Sequence, residues 1–242
     1  MKRRIKITLN ILLIGLLCFS IYKICFKLYD YKKANITYNQ INEIQKDKNT
    51  TNLDAYLKLK DLNSDYRFWI NIENTNVDYP VVQTTDNSFY LKKDFYKKDS
   101  SSGAVFLDYR NNYKKDFNSL IYGHNMKNQT LFNNVENYKK EDFFKQNNKI
   151  KLSDDKFKYT YEVFSVYVAD GTIGNNSHLS INPSPDDKQA QDYLDAIKEK
   201  SLFKSELKVT PTDKIISLVT CSYEKFDVRT IVHAKLIDIE EI

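Results

Sequence analysis

Cys221 stands in SLVTCSYEKFDVRTIVHAKL (217–236), between an apolar run and a charged loop, and Arg229 follows eight residues later. The other two cysteines, Cys18 and Cys25, lie in a greasy N-terminal stretch where apolar packing explains them. Cys221 is therefore the sole thiol of the rest of the chain. Exported proteins generally pair their thiols, and one left over is either reactive or a small buried hydrophobe. If Ile215–Cys221 and Arg229–Ile237 are neighbouring antiparallel strands joined by SYEKFDV, the residues flanking that loop are cross-strand neighbours. A guanidinium beside a thiol favours the thiolate and can donate to an oxyanion. Whether the two side chains share a face depends on a register that sequence does not fix.

A thiol that attacks carbonyls also needs a proton shuttle, and the chain has three histidines. His178, in DGTIGNNSHLS, reads as a solvated loop residue. His233 is four positions along the strand from Arg229, roughly 13 Å at strand rise, too far for direct proton transfer to Cys221. His124, in LIYGHNMKNQTLF, follows a β-like run and a glycine that lets the backbone turn. It is the one left, although a histidine after a strand is more often structural than catalytic. No His/Cys/carboxylate set has metal-ligand spacing, and no cofactor is expected. The SDD and SPDD clusters read as turns and caps.

These residues need elements to position them. Lys2, Arg3, Arg4 and Lys6 precede Ile7–Phe26, which is apolar apart from Thr8, Asn10, Ser20 and Lys23. About 20 such residues cross a bilayer, and the basic tail keeps the N-terminus cytoplasmic. SIYKICFKLYD offers no small-x-small cleavage site, so the segment reads as an uncleaved single-pass anchor with the rest of the chain extracellular. The expected division is a cytoplasmic tail (1–6), an anchor (7–26), a helical lead-in (27–62) and a catalytic domain (63–242).

In the lead-in, Ile36, Ile41, Ile44, Leu53, Tyr56, Leu57 and Leu59 recur at helical spacing without Gly or Pro, which predicts one or two amphipathic helices broken at KDKNTTN. Asn52 or a neighbouring threonine caps the second. From residue 63, eight short β-branched and aromatic runs follow: RFWINIEN, VDYPVVQT, GAVFLDYR, NSLIYGH, KIKLSDD, KYTYEVFSVYVAD, DKIISLVTCSY and RTIVHAKLIDI. They predict a closed antiparallel barrel or a sandwich. SPDDKQAQDYLDAIKEKSLF interrupts them as a helix, with Ser184 as cap, Asp186 and Asp187 in the first turn, and Tyr193, Leu194 and Ile197 on one face. At 41% hydrophobic residues the chain can fill one core. The net charge of +5 is partly the N-terminal tail, and no basic stripe interleaved with aromatics marks a nucleic-acid surface.

The blocks LIYGHNMKNQTLF, LVTCSYEKFDVRTIVHAKL, WINIENTNVDYPVVQTTDNSFYLKKDF and GAVFLDYRN resemble those of class B sortases, membrane-anchored cysteine transpeptidases of Gram-positive bacteria. The resemblance covers residue 63 to the end. It implies a mainly β fold: a closed eight-stranded sortase-type barrel with N-terminal amphipathic helices and a helix inserted before the cysteine strand. It also implies a catalytic set of Cys221 as nucleophile, His124 as acid/base and Arg229 as oxyanion or substrate clamp. Asn87, Leu91 and Thr220 would line the substrate groove. The implied partners are sorting-motif peptides of surface proteins, an amine of the peptidoglycan precursor and the cell membrane, with no nucleic acid. Val219 stands where the staphylococcal-type enzyme has serine before Thr-Cys, which bears on the peptide recognised. Two other functions fit the same residues: an anchored endopeptidase with water as acceptor, and a non-enzymatic surface binding module with Cys221 as packing.

Overall fold

The computed structural model describes residues 2–170, 181, 187–222 and 228–242. His178, Ser184 and Asp186 lie outside the described residues, as does the tip of the Cys221–Arg229 loop.

Helix α1 (Lys2–Lys46) is a single rod: the apolar stretch and the first lead-in helix are continuous, through the expected boundary at 26/27. Its 45 residues span about 68 Å at helical rise. Ala34, Tyr38 and Ile41 near its end are buried against the barrel, whereas the apolar residues from Ile5 to Tyr29 are exposed. The expected break falls at 47–51. Helix α2 (Asn52–Leu62) begins there, with Thr51 Oγ1 accepting from the Asp54 N–H at 3.1 Å.

All eight expected strands form: β1 (Tyr66–Ile72), β2 (Asp78–Val82), β3 (Val105–Leu107), β4 (Asn118–Tyr122), β5 (Lys149–Ser153), β6 (Phe157–Asp170), β7 (Ile215–Ser222) and β8 (Val228–Glu241). They close into a barrel in the order β1-β2-β3-β4-β7-β8-β6-β5. Helix α3 (Glu141–Gln146) precedes β5, and α4 (Asp187–Glu199) is the expected insertion between β6 and β7.

One expectation is corrected. The barrel is not wholly antiparallel, since β2 pairs with β3, and β4 with β7, in parallel. Parallel neighbours need long crossovers, and the β4-to-β7 connection supplies one through α3, β5, β6 and α4. A parallel pair ends at the same rim, so the residues that follow β4 and those that close β7 meet at one end of the barrel.

Strand alternation sorts side chains onto two faces. Ile216, Leu218, Val232 and Ala234 fill the main core. Leu120, Val219, Ile231 and Ile215 face outward into a second cluster sealed by Tyr193, Leu194 and Ile197 of α4.

Candidate active site

The register of three neighbouring strands builds the site. Cys221 lies directly across from Arg229 in the β7–β8 pair. On the other side of β7 the parallel ladder with β4 reaches Tyr122 opposite Val219, and the Gly123 N–H continues it to the Val219 carbonyl at 3.2 Å. Counting two positions on from that pair brings residue 124 level with 221. Position 124, two residues past the end of β4, thus lines up with 221 and 229 at this rim, with the cysteine in the middle. Neighbouring strands are about 4.8 Å apart. By the same alternation Arg229 takes the face of Ile231 and its partner Val219.

His124 Nε2 lies 3.0 Å from the Leu91 carbonyl oxygen. A carbonyl can only accept, so Nε2 carries the hydrogen and Nδ1 is left as the lone-pair nitrogen. The ring rests on Gly103, whose φ of +62° favours glycine. A Cβ there would meet the Tyr90 oxygen at 2.5 Å, the Leu91 oxygen at 2.9 Å and His124 Cδ2 at 3.1 Å. His124 and Leu91 open onto a cleft of about 660 Å³, walled on its far side by Phe26 and Asp30 of α1 with Ser100 and Ser101. Asp30 accepts from the backbone N–H and hydroxyl of Ser101. Gly123 serves a different end from the one expected. Its backbone has no left-handed φ; it is small because the Phe132 ring would lie 2.6 Å from a Cβ.

Arg229 Nε is buried and finds no hydrogen-bond partner among the described residues. Its positive charge acts on Tyr122, whose phenol is raised by burial first and then by Asp108, with Arg110 and Arg229 pulling the other way. Tyr122 donates to Asp108 Oδ2 at 3.1 Å, and Arg110 binds the same carboxylate through Nε at 2.9 Å and a terminal nitrogen at 2.8 Å. Burial pushes the Asp108 carboxyl up, but the Arg110 and Asn87 hydrogen bonds outweigh it and hold the group below the ordinary carboxylate range.

Asn87 is occupied in this cluster, donating to Asp108 at 2.9 Å and accepting from the Tyr109 N–H at 3.0 Å. Thr220 has the opposite alternation from the row. It is 2% exposed inside the barrel, and its hydroxyl has no hydrogen bond among the described residues. Of the three residues expected in the groove, only Leu91 lines a cleft with His124. His233 is fully buried four positions below the row, paired in register with Ser217 on one side and Ser165 on the other. Its Nδ1 meets Ser217 Oγ at 2.7 Å and its Nε2 meets the Tyr167 hydroxyl at 3.0 Å. The Leu91 carbonyl and Gly103 went unread in the sequence. A backbone acceptor has no residue signature, whereas a glycine opening a strand was a readable sign of close approach.

Residues 70–237 match the family model described as the sortase domain. A curated relative, sortase B of Listeria monocytogenes, is 32% identical over 225 residues, covering 90% of each chain. Among solved structures, Clostridium perfringens sortase B superposes with a TM-score of 0.72 at 41% identity, covering 75% of this chain and 99% of that one. A Staphylococcus aureus sortase B–substrate complex superposes with a TM-score of 0.77 at 29% identity, covering 87% and 99%.

Proposed function

The chain belongs to the sortase family, with class B enzymes as its relatives, and from that premise we propose how this cysteine transpeptidase of cell-wall sorting divides its work. Cys221 is the nucleophile, His124 the acid/base and Arg229 the oxyanion donor. The observation that carries this reading is the row 124–221–229, with the nucleophile between a histidine that has one nitrogen free and an arginine with an unspent buried donor.

His124 Nδ1 takes the proton of the Cys221 thiol as the sulfur attacks the scissile carbonyl of a C-terminal sorting motif, and a C–S bond forms as the carbonyl becomes an oxyanion facing Arg229. As the C–N bond breaks, the leaving amine takes a proton through His124 Nδ1. An amine of the peptidoglycan precursor then attacks the thioester, returns a proton to His124 and expels the thiolate. The substrate complex of the Staphylococcus aureus enzyme and a sortase B complexed with triglycine support a peptide donor and an amine acceptor.

Leu91 lines the peptide groove, while Asn87 and Thr220 act beneath it as supports. The division into tail (1–6), anchor (7–26), lead-in (27–62) and catalytic domain (63–242) accompanies this reading. Helix α1 is long and apolar enough to cross a membrane, its most apolar window is wholly exposed, and the basic tail puts its N-terminus in the cytoplasm.

The test is incubation of the full chain with sorting-motif peptides, with and without candidate amines, followed by mass spectrometry. An acyl adduct on Cys221 that an amine converts to a joined product is expected. An adduct released only to water, whatever amine is present, overturns the transpeptidation mechanism in favour of an endopeptidase. No adduct on Cys221 overturns the residue assignment.

A further inference from the structure

A second cleft, of about 400 Å³, lies between α1, the β1–β2 turn and the loop after His124. Such a volume is in the range of small-ligand sites, roughly 300–1,000 Å³. Its lining is unusual in kind: Asn35, Asn39, Asn42, Asn76, Asn128 and Gln129 all face it. The charges in the lining, Lys46 and Asp78, are paired with each other at 2.5 Å, so the cleft presents neutral amides. Two of their atoms are buried without a hydrogen-bond partner among the described residues, the Asn42 Oδ1 acceptor and the Asn128 Nδ2 donor. Leaving such atoms unsatisfied is unfavourable, which marks a place where a ligand has something to offer.

The cleft opens at the same rim as the catalytic row. Strand β2 runs antiparallel to β4, because it is parallel to β3 and β3 is antiparallel to β4. Through Phe106, Val82 at the end of β2 is level with Tyr122 at the end of β4, so the start of β2 extends past β4 toward the rim at which His124 follows. Two tyrosines lining the cleft, Tyr38 and Tyr79, pack edge to face at 5.2 Å. The Tyr38 hydroxyl donates to the carbonyl of Gly103, the residue under the His124 ring. The Tyr79 hydroxyl accepts from the Leu131 N–H, and the neighbouring Phe132 N–H bonds the His124 carbonyl.

We propose that this amide-lined cleft binds an N-acetylated amino sugar of the wall acceptor, seating it beside the catalytic row. The orphaned acceptor calls for an N–H or O–H, and the orphaned donor for a carbonyl or hydroxyl. An acetamido group supplies one of each, and sugar hydroxyls suit the remaining amides, which both donate and accept. The identity of the sugar as part of the acceptor rests on the function proposed above; binding of an acetamido sugar does not.

Trp69, the sole tryptophan, provides the probe. Its Nε1 donates to Asp78 Oδ1 at 2.8 Å, and Asp78 lines the cleft. The full chain in detergent micelles is titrated with tri-N-acetylchitotriose, with maltotriose as the hydroxyl-only control and N-acetylglycinamide as the amide-only control. A saturable change in Trp69 fluorescence with Kd below about 1 mM is expected for the N-acetylated sugar alone. Asn42→Ala should weaken it at least tenfold, and Asn128→Ala likewise. Asn42→Ala should leave Tm unchanged or raise it, since no hydrogen bond of Asn42 is lost among the described residues. N-acetylglucosamine monomer and hexamer separate the sources: tighter binding of the hexamer assigns a glycan strand, and equal binding assigns a single sugar on a precursor. The absence of a saturable change overturns the proposal, as do equal responses to either control or undiminished binding in both variants. The Cys221 adduct is followed in parallel, so that sugar binding without an adduct counts against the catalytic reading alone, and an adduct without sugar binding counts against this one alone.

Discussion

Two histidines on the same face of one barrel have opposite surroundings. His233 is sealed under α4 with both ring nitrogens hydrogen-bonded, to Ser217 and Tyr167, and Ser217 passes the connection to Asn118 at 2.8 Å and so toward Tyr193. His124 sits at the rim with one nitrogen held by a backbone carbonyl and faces a cleft. A histidine with both nitrogens engaged in a buried knot fixes strands and helix to one another. A histidine held by one nitrogen is aimed, and keeps the other for chemistry. The difference is made by position along the strand: four residues take the chain from beneath a helix to an open edge.

The sharpest way to break this contrast is to remove the groups of the row. Cys221→Ala should abolish the acyl adduct and lower turnover by at least about 10⁴-fold, and His124→Ala should cost about 10²–10⁴-fold, each with Tm close to that of the parent. His233→Ala in the folded protein should stay within about tenfold of the parent rate. Mass spectrometry of the adduct and a peptide-joining assay measure all three, and equal losses at His124 and His233 would erase the distinction. Next in size is Arg229→Ala, expected to cost about 10²–10³-fold, the usual loss of an oxyanion donor. Arg229→Lys keeps the charge but not the fork of donors, so it should retain thiol alkylation while recovering little turnover. Near-parent turnover in the lysine variant would remove the geometric role.

Stability should show the reverse order. His233→Ala removes the hydrogen bonds to the Tyr167 and Ser217 hydroxyls and leaves a cavity under α4, and should cost about 2–4 kcal/mol, read as a fall in Tm of roughly 5–15 °C. If His124→Ala lowers Tm as much, the rim histidine is a structural one too. The smallest effect concerns pH. The Asp108 carboxyl is held below the ordinary range in the fold, so its contribution to stability is present above the unfolded value of about 4 and is lost as pH falls through the folded value. Thermal melts from pH 7 to 3 should fall in that window. Asp108→Asn should have a Tm lower by the equivalent of about 1–2 kcal/mol at pH 7 and a shallower acid decline. An unchanged acid profile would show that the Arg110–Asp108–Tyr122 cluster is not what supports the rim.

Most of the strands were legible because β-branched and aromatic runs report a pleated, half-buried surface. The parallel junctions were not, because a period of two reveals which face a residue takes and nothing about the direction of its neighbour. That gap concealed the feature which assembles the site, since only the parallel β4–β7 pair brings residue 124 level with 221. The pairing of Cys221 with Arg229 was readable from one hairpin. Thr220 is buried inside the barrel by the same alternation that turns Val219 and Ile231 outward. The amides of the second cleft are spread from Asn35 to Gln129, and no local pattern marks residues that only the closed barrel gathers.

The unbroken course of α1 has a consequence for how this enzyme meets its substrates. Phe26, the last residue of the apolar stretch, and Asp30, one turn further along the same unbroken helix, wall the His124 cleft. On the anchoring proposed above, the cleft would be carried at a fixed height at the bilayer surface. A protein still tethered in the membrane would be met by lateral diffusion, as a search over an area, and one already released into the wall would be out of reach. The helix would then act as a ruler, and its length would set the moment at which a substrate can be captured.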